Sequence, residues 1–125
     1  MRILSDTFVN EWKDRLINIH PSLLPSFKGL NTHERALKAG VCFTGCTIHF
    51  VRAAMDDGPI ILQAAIPTLA QDTSETLANR VLEQEHIIFP LAVRMIAEGR
   101  VKVEDNVVRI EGASYHGTPN INPFD

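Results

Sequence analysis

Leu16-Ile17-Asn18-Ile19-His20-Pro21-Ser22-Leu23-Leu24-Pro25 is the stretch on which the fold turns. Its first five residues alternate apolar with polar-capable side chains, as a strand does. Pro21 ends the run because proline has no N–H to give a ladder. Two prolines followed by Gly29 make 21–29 an ordered loop. Asn18 and His20 stand at i and i+2, hence on one face of the strand and at its end. In open α/β sheets, ligands bind outside the carboxyl ends of strands. On these residues alone, a histidine serving only the fold is an equally open reading.

Working outward, Ser5 is placed to cap a short helix through Trp12. Thr32 is placed to cap a helix that runs to Ala39, with Gly40 just past its end. Gly45 to Val51 and Ile60 to Ile66 are rich in β-branched and aromatic residues and read as strands. Met55-Asp56-Asp57-Gly58-Pro59 between them has the composition of a tight turn. So short a connection favours an antiparallel pair, since a parallel return needs a crossover. Asp72-Thr73-Ser74-Glu75 is a variant capping box that opens a long helix, Thr73 to Glu98. Leu77, Val81, Ile88, Ala92 and Met95 recur on one stripe of that helix, and Pro90 is expected to kink or break it. Val101 to Val103 and Val107 to Ile110, joined through Asp105-Asn106, form a terminal hairpin. From Gly112 onward the chain reads as a loose tail.

The chain has 125 residues, 45% hydrophobic and 22% charged, enough for one domain with its own core. A net charge of −3 leaves no basic footprint for nucleic acid. No stretch approaches a membrane span, and the first residues lack the regions of a secretory signal, so the expected location is the cytoplasm. Cys42 and Cys46 read as reduced structural thiols: no second Cys/His pair stands at zinc-ligand spacing, and no metal is expected.

Asn18, His20 and Asp56 form a coherent set for acyl transfer. Attack of an amine on a formyl carbon places negative charge on oxygen, which an amide N–H and a protonated imidazole stabilise. The amine must lose a proton, which a carboxylate accepts directly or through water. A carboxylate nearby also favours the charged imidazole. Asp56 alone reads equally as a turn aspartate bonding its own backbone.

Asn18-Ile19-His20-Pro21-Ser22-Leu23-Leu24-Pro25, then Gly45-Cys46-Thr47-Ile48-His49-Phe50-Val51, then Met55-Asp56-Asp57-Gly58-Pro59-Ile60-Ile61-Leu62-Gln63, resemble in order the blocks of the folate-dependent formyltransferases. Gly29-Leu30-Asn31-Thr32-His33 resembles the branch acting on glycinamide ribonucleotide. That resemblance implies an α/β fold: the C-terminal part of a mostly parallel sheet flanked by helices, with an antiparallel strand and a terminal hairpin. It implies formyl transfer from 10-formyltetrahydrofolate to the amine of glycinamide ribonucleotide in purine biosynthesis, with Asn18, His20 and Asp56 as the catalytic trio. Met1, Arg2, Ile3, Leu4, Val9 and Leu16 would line the pterin pocket, with Val51, Arg52, Ala53, Ala54 and Met55 as its other wall. Ile19, Pro21 and Glu85 would meet the ribonucleotide, Glu85 at the ribose. Glu85 also attracts notice unaided, as a carboxylate on the long helix's apolar stripe. His33 is expected to face solvent from a mobile loop, and His49 to be a satisfied strand residue.

The resemblance covers residues 1 to about 111, with 112–125 as tail. It begins partway into the family pattern, so the N-terminal nucleotide-binding half with its glycine-rich phosphate loop is expected to be absent. Asp57 stands where the family more often has glycine. Two other readings stay open: a folate-binding chain without turnover, and a related formyltransferase or deformylase using the same trio. A homodimer is compatible with the sequence.

Overall fold

The computed structural model describes residues 4–124. In chain order its elements are α1 (Asp6–Glu11), β1 (Ile17–His20), α2 (Thr32–Ala39), β2 (Phe43–Phe50), β3 (Ile60–Pro67), α3 (Ser74–Ala97), β4 (Val101–Glu104) and β5 (Val107–Ile110). β2 is the centre of a three-stranded sheet ordered β1-β2-β3, and every residue of it after Phe43 is buried. That follows from its composition, since a β-branched and aromatic run fits a pleated surface covered on both sides.

The architecture is the α/β type expected from the sequence, and it matches the antiparallel pairing expected for β2 and β3. β1 also pairs antiparallel with β2, and β4 with β5. The expected mostly parallel arrangement therefore has no counterpart among the described residues. The reason is the path between β1 and β2. The proline loop and α2 bring the chain back from the end of β1 at which it left, and not from the opposite end as a crossover would.

α3 lies across β2 and β3 and buries the stripe Leu77, Val81, Ile88, Ala92 and Met95, as its periodicity predicts. Together with Cys46, Ile48, Phe50, Ile61 and Ile66 these residues make the core. Burying each larger side chain is worth roughly 1.5–3 kcal/mol. Pro90 does not divide the helix, which is continuous from Ser74 to Ala97. Proline removes one ladder bond there, to the carbonyl of His86. Its ring faces outward, while Ile88 and Ala92 on either side stay packed in the core.

The helix starts are built differently from the sequence expectation in two places. α2 is capped by Asn31 in the left-handed conformation, not by Thr32, whose hydroxyl instead donates to the Pro21 carbonyl at 2.7 Å. The capping box of α3 pairs Thr73 with Thr76, one residue later than the expected pair of Asp72 with Glu75. Ser5 caps α1 as expected, accepting from the Phe8 N–H at 3.2 Å. Asp105 and Asn106, both at positive φ, close the β4–β5 hairpin. Residues 113–124 carry no helix or strand, and Asn122 ties them back by donating to the carbonyls of Cys42 and Thr68. No helix of the described residues is long and apolar enough to cross a membrane.

Candidate active site

The register of β1 on β2 sets Asn18 opposite His49 and His20 opposite Thr47. Paired residues share a face, as do residues two apart, so all four side chains belong to one side of the sheet. Next to His49 the β2–β3 ladder slips by one: Ile48 pairs with Leu62 and His49 with Ile60, which leaves Ile61 extra. Such a bulge re-aims the neighbouring side chains.

Thr47 fastens the proline loop to this face. Its hydroxyl donates to the Ser22 carbonyl at 2.7 Å and accepts from the Leu24 N–H at 3.1 Å. The Gln63 amide reaches the same hydroxyl and the Leu24 carbonyl, both at 3.0 Å. Ser22 donates to the Ser26 carbonyl at 2.6 Å, and Arg35 holds the Lys28 and Leu30 carbonyls while its guanidinium covers the Phe27 ring. The loop is thus ordered by buried polar bonds, as its prolines suggested.

That order fixes His20. Its Nε2 lies 2.9 Å from the Phe27 carbonyl, which can only accept, so Nε2 carries the proton of that bond. Nδ1 then faces Asp56 Oδ1 at 3.5 Å, too long for a firm hydrogen bond. Asp56 sits in the turn after β2 with φ of 51°, a left-handed conformation that aspartate tolerates better than most residues. Its Oδ2 accepts from the Gly29 N–H at 2.9 Å, which joins the two loops. Gly58 lets this turn lie directly on the end of β2, because a Cβ there would come within 1.5 Å of the Phe50 carbonyl oxygen.

His49 departs from the expected satisfied strand residue. Its Nδ1 donates to the Phe50 carbonyl at 2.9 Å, but its Nε2 is buried without a hydrogen-bond partner, 4.0 Å from Asp56 Oδ1. The carboxylate, only 9% exposed, lies between two imidazoles. His33 also departs from expectation: it belongs to α2, is half-buried, and its Nδ1 is buried without a partner. Burial lowers its pKa. The local sequence shows only a polar residue early in a helix and cannot show what packs over it.

A cavity of about 670 Å³ opens on this face. Asn18, His20, His49 and Asp56 line one end, and Leu4, Val9, Leu16 and Val51 to Met55 the other. Met1, Arg2 and Ile3, expected to share in it, lie outside the described residues. Asn18 is exposed to the cavity, and its amide has no hydrogen-bond partner among the described residues. A second groove of about 500 Å³ holds Glu85 with Leu82, His86, Phe89 and Pro90, and Ile19 lines both. Burial pushes the Glu85 carboxyl above the usual carboxylate range, against the opposing pull of His86 and His20. Cys46 is buried on β2 and Cys42 exposed, both as free thiols. Burial, with Glu85 adding to it, pushes the Cys46 thiol up to about 11.

Three residues that hold this site were not singled out by sequence reasoning: Thr47, Gln63 and, as a neighbour of Asp56, His49. The signal for them was the alternation Thr47-Ile48-His49, which puts both polar residues on the same face as Asn18 and His20.

The family model described as formyl transferase matches residues 1–93. The chain is 56% identical over 106 residues to the trifunctional purine biosynthetic protein adenosine-3 of Bos taurus, covering 85% of this chain and 10% of that protein. It is 46% identical over 112 residues to the phosphoribosylglycinamide formyltransferase of Escherichia coli K12, covering 90% of this chain and 53% of that one. The crystal structure of phosphoribosylglycinamide formyltransferase from Anaplasma phagocytophilum superimposes with a TM-score of 0.89 at 51% identity, over 92% of this chain and 57% of that one. The chain thus spans a tenth of the first relative and about half the length of the second.

Proposed function

We propose that this chain, which belongs to the formyl transferase family, carries the chemistry that moves a formyl group from 10-formyltetrahydrofolate to the amine of glycinamide ribonucleotide. One observation supports this above the rest: Asn18, His20 and Asp56, separated by up to 38 residues, line one cavity together with the apolar side chains of Leu4, Val9, Leu16, Val51 and Met55. A volume of about 670 Å³ suits a flat heteroaromatic ring, and apolar walls with backbone polar groups suit a pterin.

In this reading the Asn18 amide, free of other partners, donates to the formyl oxygen as negative charge builds there. His20 is held through Nε2 by the Phe27 carbonyl, so Nδ1 is its working nitrogen. In the protonated imidazole Nδ1 also carries an N–H, which the 3.5 Å contact with Asp56 engages only weakly and which donates to the same oxygen. The incoming amine forms the new C–N bond and passes its proton to Asp56, directly or through one water. The bond from the formyl carbon to folate N10 then breaks, its electron pair goes to N10, and Asp56 returns the proton to N10, directly or through the same water. Gly29 N–H keeps the carboxylate aimed throughout. The apolar walls exclude water, which strengthens each of these polar contacts. In the same reading Ile19 and Pro21 meet the ribonucleotide, and Glu85 in the groove takes the ribose hydroxyls.

The test is formyl transfer by this chain beside the same chain with His20→Ala, following deformylated folate with and without glycinamide ribonucleotide. Turnover that requires the ribonucleotide and falls about 10²–10³-fold in the variant supports the assignment. Formate release without the amine would make the chain a hydrolase instead. Folate binding with no turnover would leave it a binding chain.

A further inference from the structure

We infer that Arg52 and Asp14 form an ionic strap that holds the cavity's two walls together and sets its affinity for a folate, with Arg52 as the positioning residue. The inference rests on the folate reading above. One wall is the corner between α1 and β1, carrying Val9 and Leu16. The other is the segment after β2, Val51 to Met55. Two contacts tie them: the Val51 N–H donates to the Leu16 carbonyl at 2.8 Å, and Arg52 Nη2 donates to Asp14 Oδ1 at 2.5 Å. Beyond Arg52, the side chains of Ala53 and Ala54 have nothing polar with which to anchor the wall, and Met55 is exposed. The next polar anchor is Asp56 itself, through Gly29.

Arg52 is the one Lys or Arg side chain among the described residues lining the cavity. Its side chain is 18% exposed against 39% for Asp14, so the pair lies at the rim with the cationic member partly withdrawn from water. Such a pair is worth more than a fully solvated one, and it remains sensitive to salt. Asp14 meets it from a turn at φ of 61°, whose Arg15 N–H bonds back to the Trp12 carbonyl, so the carboxylate is presented by backbone geometry. Opening the strap frees the 52–55 wall from the corner at Asp14, while the Val51 bond to Leu16 and the Asp56 end stay in place. Donor binding should suffer and the chemical step should not.

The experiment titrates tetrahydrofolate into the full chain by calorimetry, for wild type, Arg52→Gln, Asp14→Asn, the double variant, and the charge-reversed pair Asp14→Arg with Arg52→Asp. Each single variant and the double should weaken binding by roughly fivefold, without adding. The reversed pair should return to within about twofold of wild type. Raising salt from 0.05 to 0.5 M should weaken wild-type binding and leave Arg52→Gln unchanged, a response that a purely structural role would not give. In turnover, KM for the donor should rise while kcat holds. Variants that bind as wild type does, or single effects that add, would overturn the strap. Wild type that binds no folate would overturn the function reading, and the strap with it.

Discussion

Replacing Gly58 with alanine isolates the support under Asp56. The added Cβ would stand 1.5 Å from the Phe50 carbonyl oxygen and 2.7 Å from its carbon. Both are backbone atoms of a strand held on either side, so the obstruction cannot swing away. Restoring even the 3.0 Å that real contacts respect moves the turn by about 1.5 Å. Pro59 is bonded back to Phe50 N–H at 2.9 Å, so the shift must be taken up on the Asp56 side or break that bond. The 2.9 Å contact of Asp56 with Gly29 and the 3.5 Å contact with His20 lie two residues away. A catalytic group misplaced by about 1 Å costs on the order of 10²-fold, so kcat for formyl transfer should fall at least that far. Overpacking should cost about 1–3 kcal/mol, a Tm loss of roughly 5–10 °C for a chain of this size. Gly40→Ala is the control. Its φ of 74° imposes strain of about 1–2 kcal/mol, but nothing lies within 4 Å and the site is untouched. It should lower Tm and leave kcat alone. A folded Gly58→Ala chain with wild-type kcat would refute the claim that this close approach positions the carboxylate.

Asp56→Asn keeps the Gly29 bond but removes the carboxylate proposed to accept the proton. Turnover should drop about 10²–10⁴-fold while folate affinity, measured by calorimetry, changes little. His49→Gln removes the imidazole that faces Asp56 and should lower kcat by roughly tenfold; unchanged kinetics would make His49 a packing residue only. Glu85→Gln should raise Tm at pH 7–8. Burial raises the folded-state pKa of Glu85, so its charged form costs stability above that pKa. Below about pH 3, where the glutamate is protonated in both states, the two chains should melt together. If Glu85 meets the ribose, the same variant should bind the ribonucleotide less tightly. Iodoacetamide at pH 7.5 should label Cys42 in the native chain, and Cys46 only after denaturation, because Cys46 is buried with its thiol pushed up to about 11. Native labelling of both, read by mass spectrometry, would contradict that packing.

What was legible in the sequence was what neighbouring residues decide among themselves. The α3 stripe was read correctly residue by residue because helical periodicity reports a buried face directly, and Ser5 and the Asp105-Asn106 turn followed from local backbone chemistry. The direction of β1 was not readable. It depends on where a 22-residue connection, containing α2, returns the chain. Thr32 and Asn31 both suit a helix start, and the choice was made by a distant acceptor, the Pro21 carbonyl that takes the Thr32 hydroxyl. Pro90 was expected to interrupt α3 on helix chemistry alone, but the core contacts on both sides of it outweigh one missing bond. The cavity residues Leu4, Val9, Leu16 and Val51 to Met55 were named through family resemblance; nothing in their periodicity distinguishes a pocket wall from a core.

The site's dependence on loops has a consequence for how substitutions will sort. Asp56 is held by a backbone N–H from the proline loop, by a turn that lies against the end of β2, and by its own tolerance of positive φ. None of these supports comes from α3. The core formed by α3 on β2 and β3 carries most of the apolar burial, and it meets the proline loop that orients His20 through Thr47 and Gln63. Truncating Leu77 or Val81 should therefore cost stability, about 2–5 kcal/mol for the leucine, with kcat per folded molecule nearly unchanged. Truncating the Thr47 hydroxyl, by Thr47→Val, removes two loop bonds at nearly constant volume. It leaves the Leu24 N–H and Ser22 carbonyl buried without partners, each costing about 1–3 kcal/mol. Because those bonds hold the loop that fixes the His20 ring, this variant should lose activity and stability together. Loss of stability alone would mean that the loop keeps its place without Thr47, and that the bond from His20 to Phe27 is sufficient to orient the imidazole.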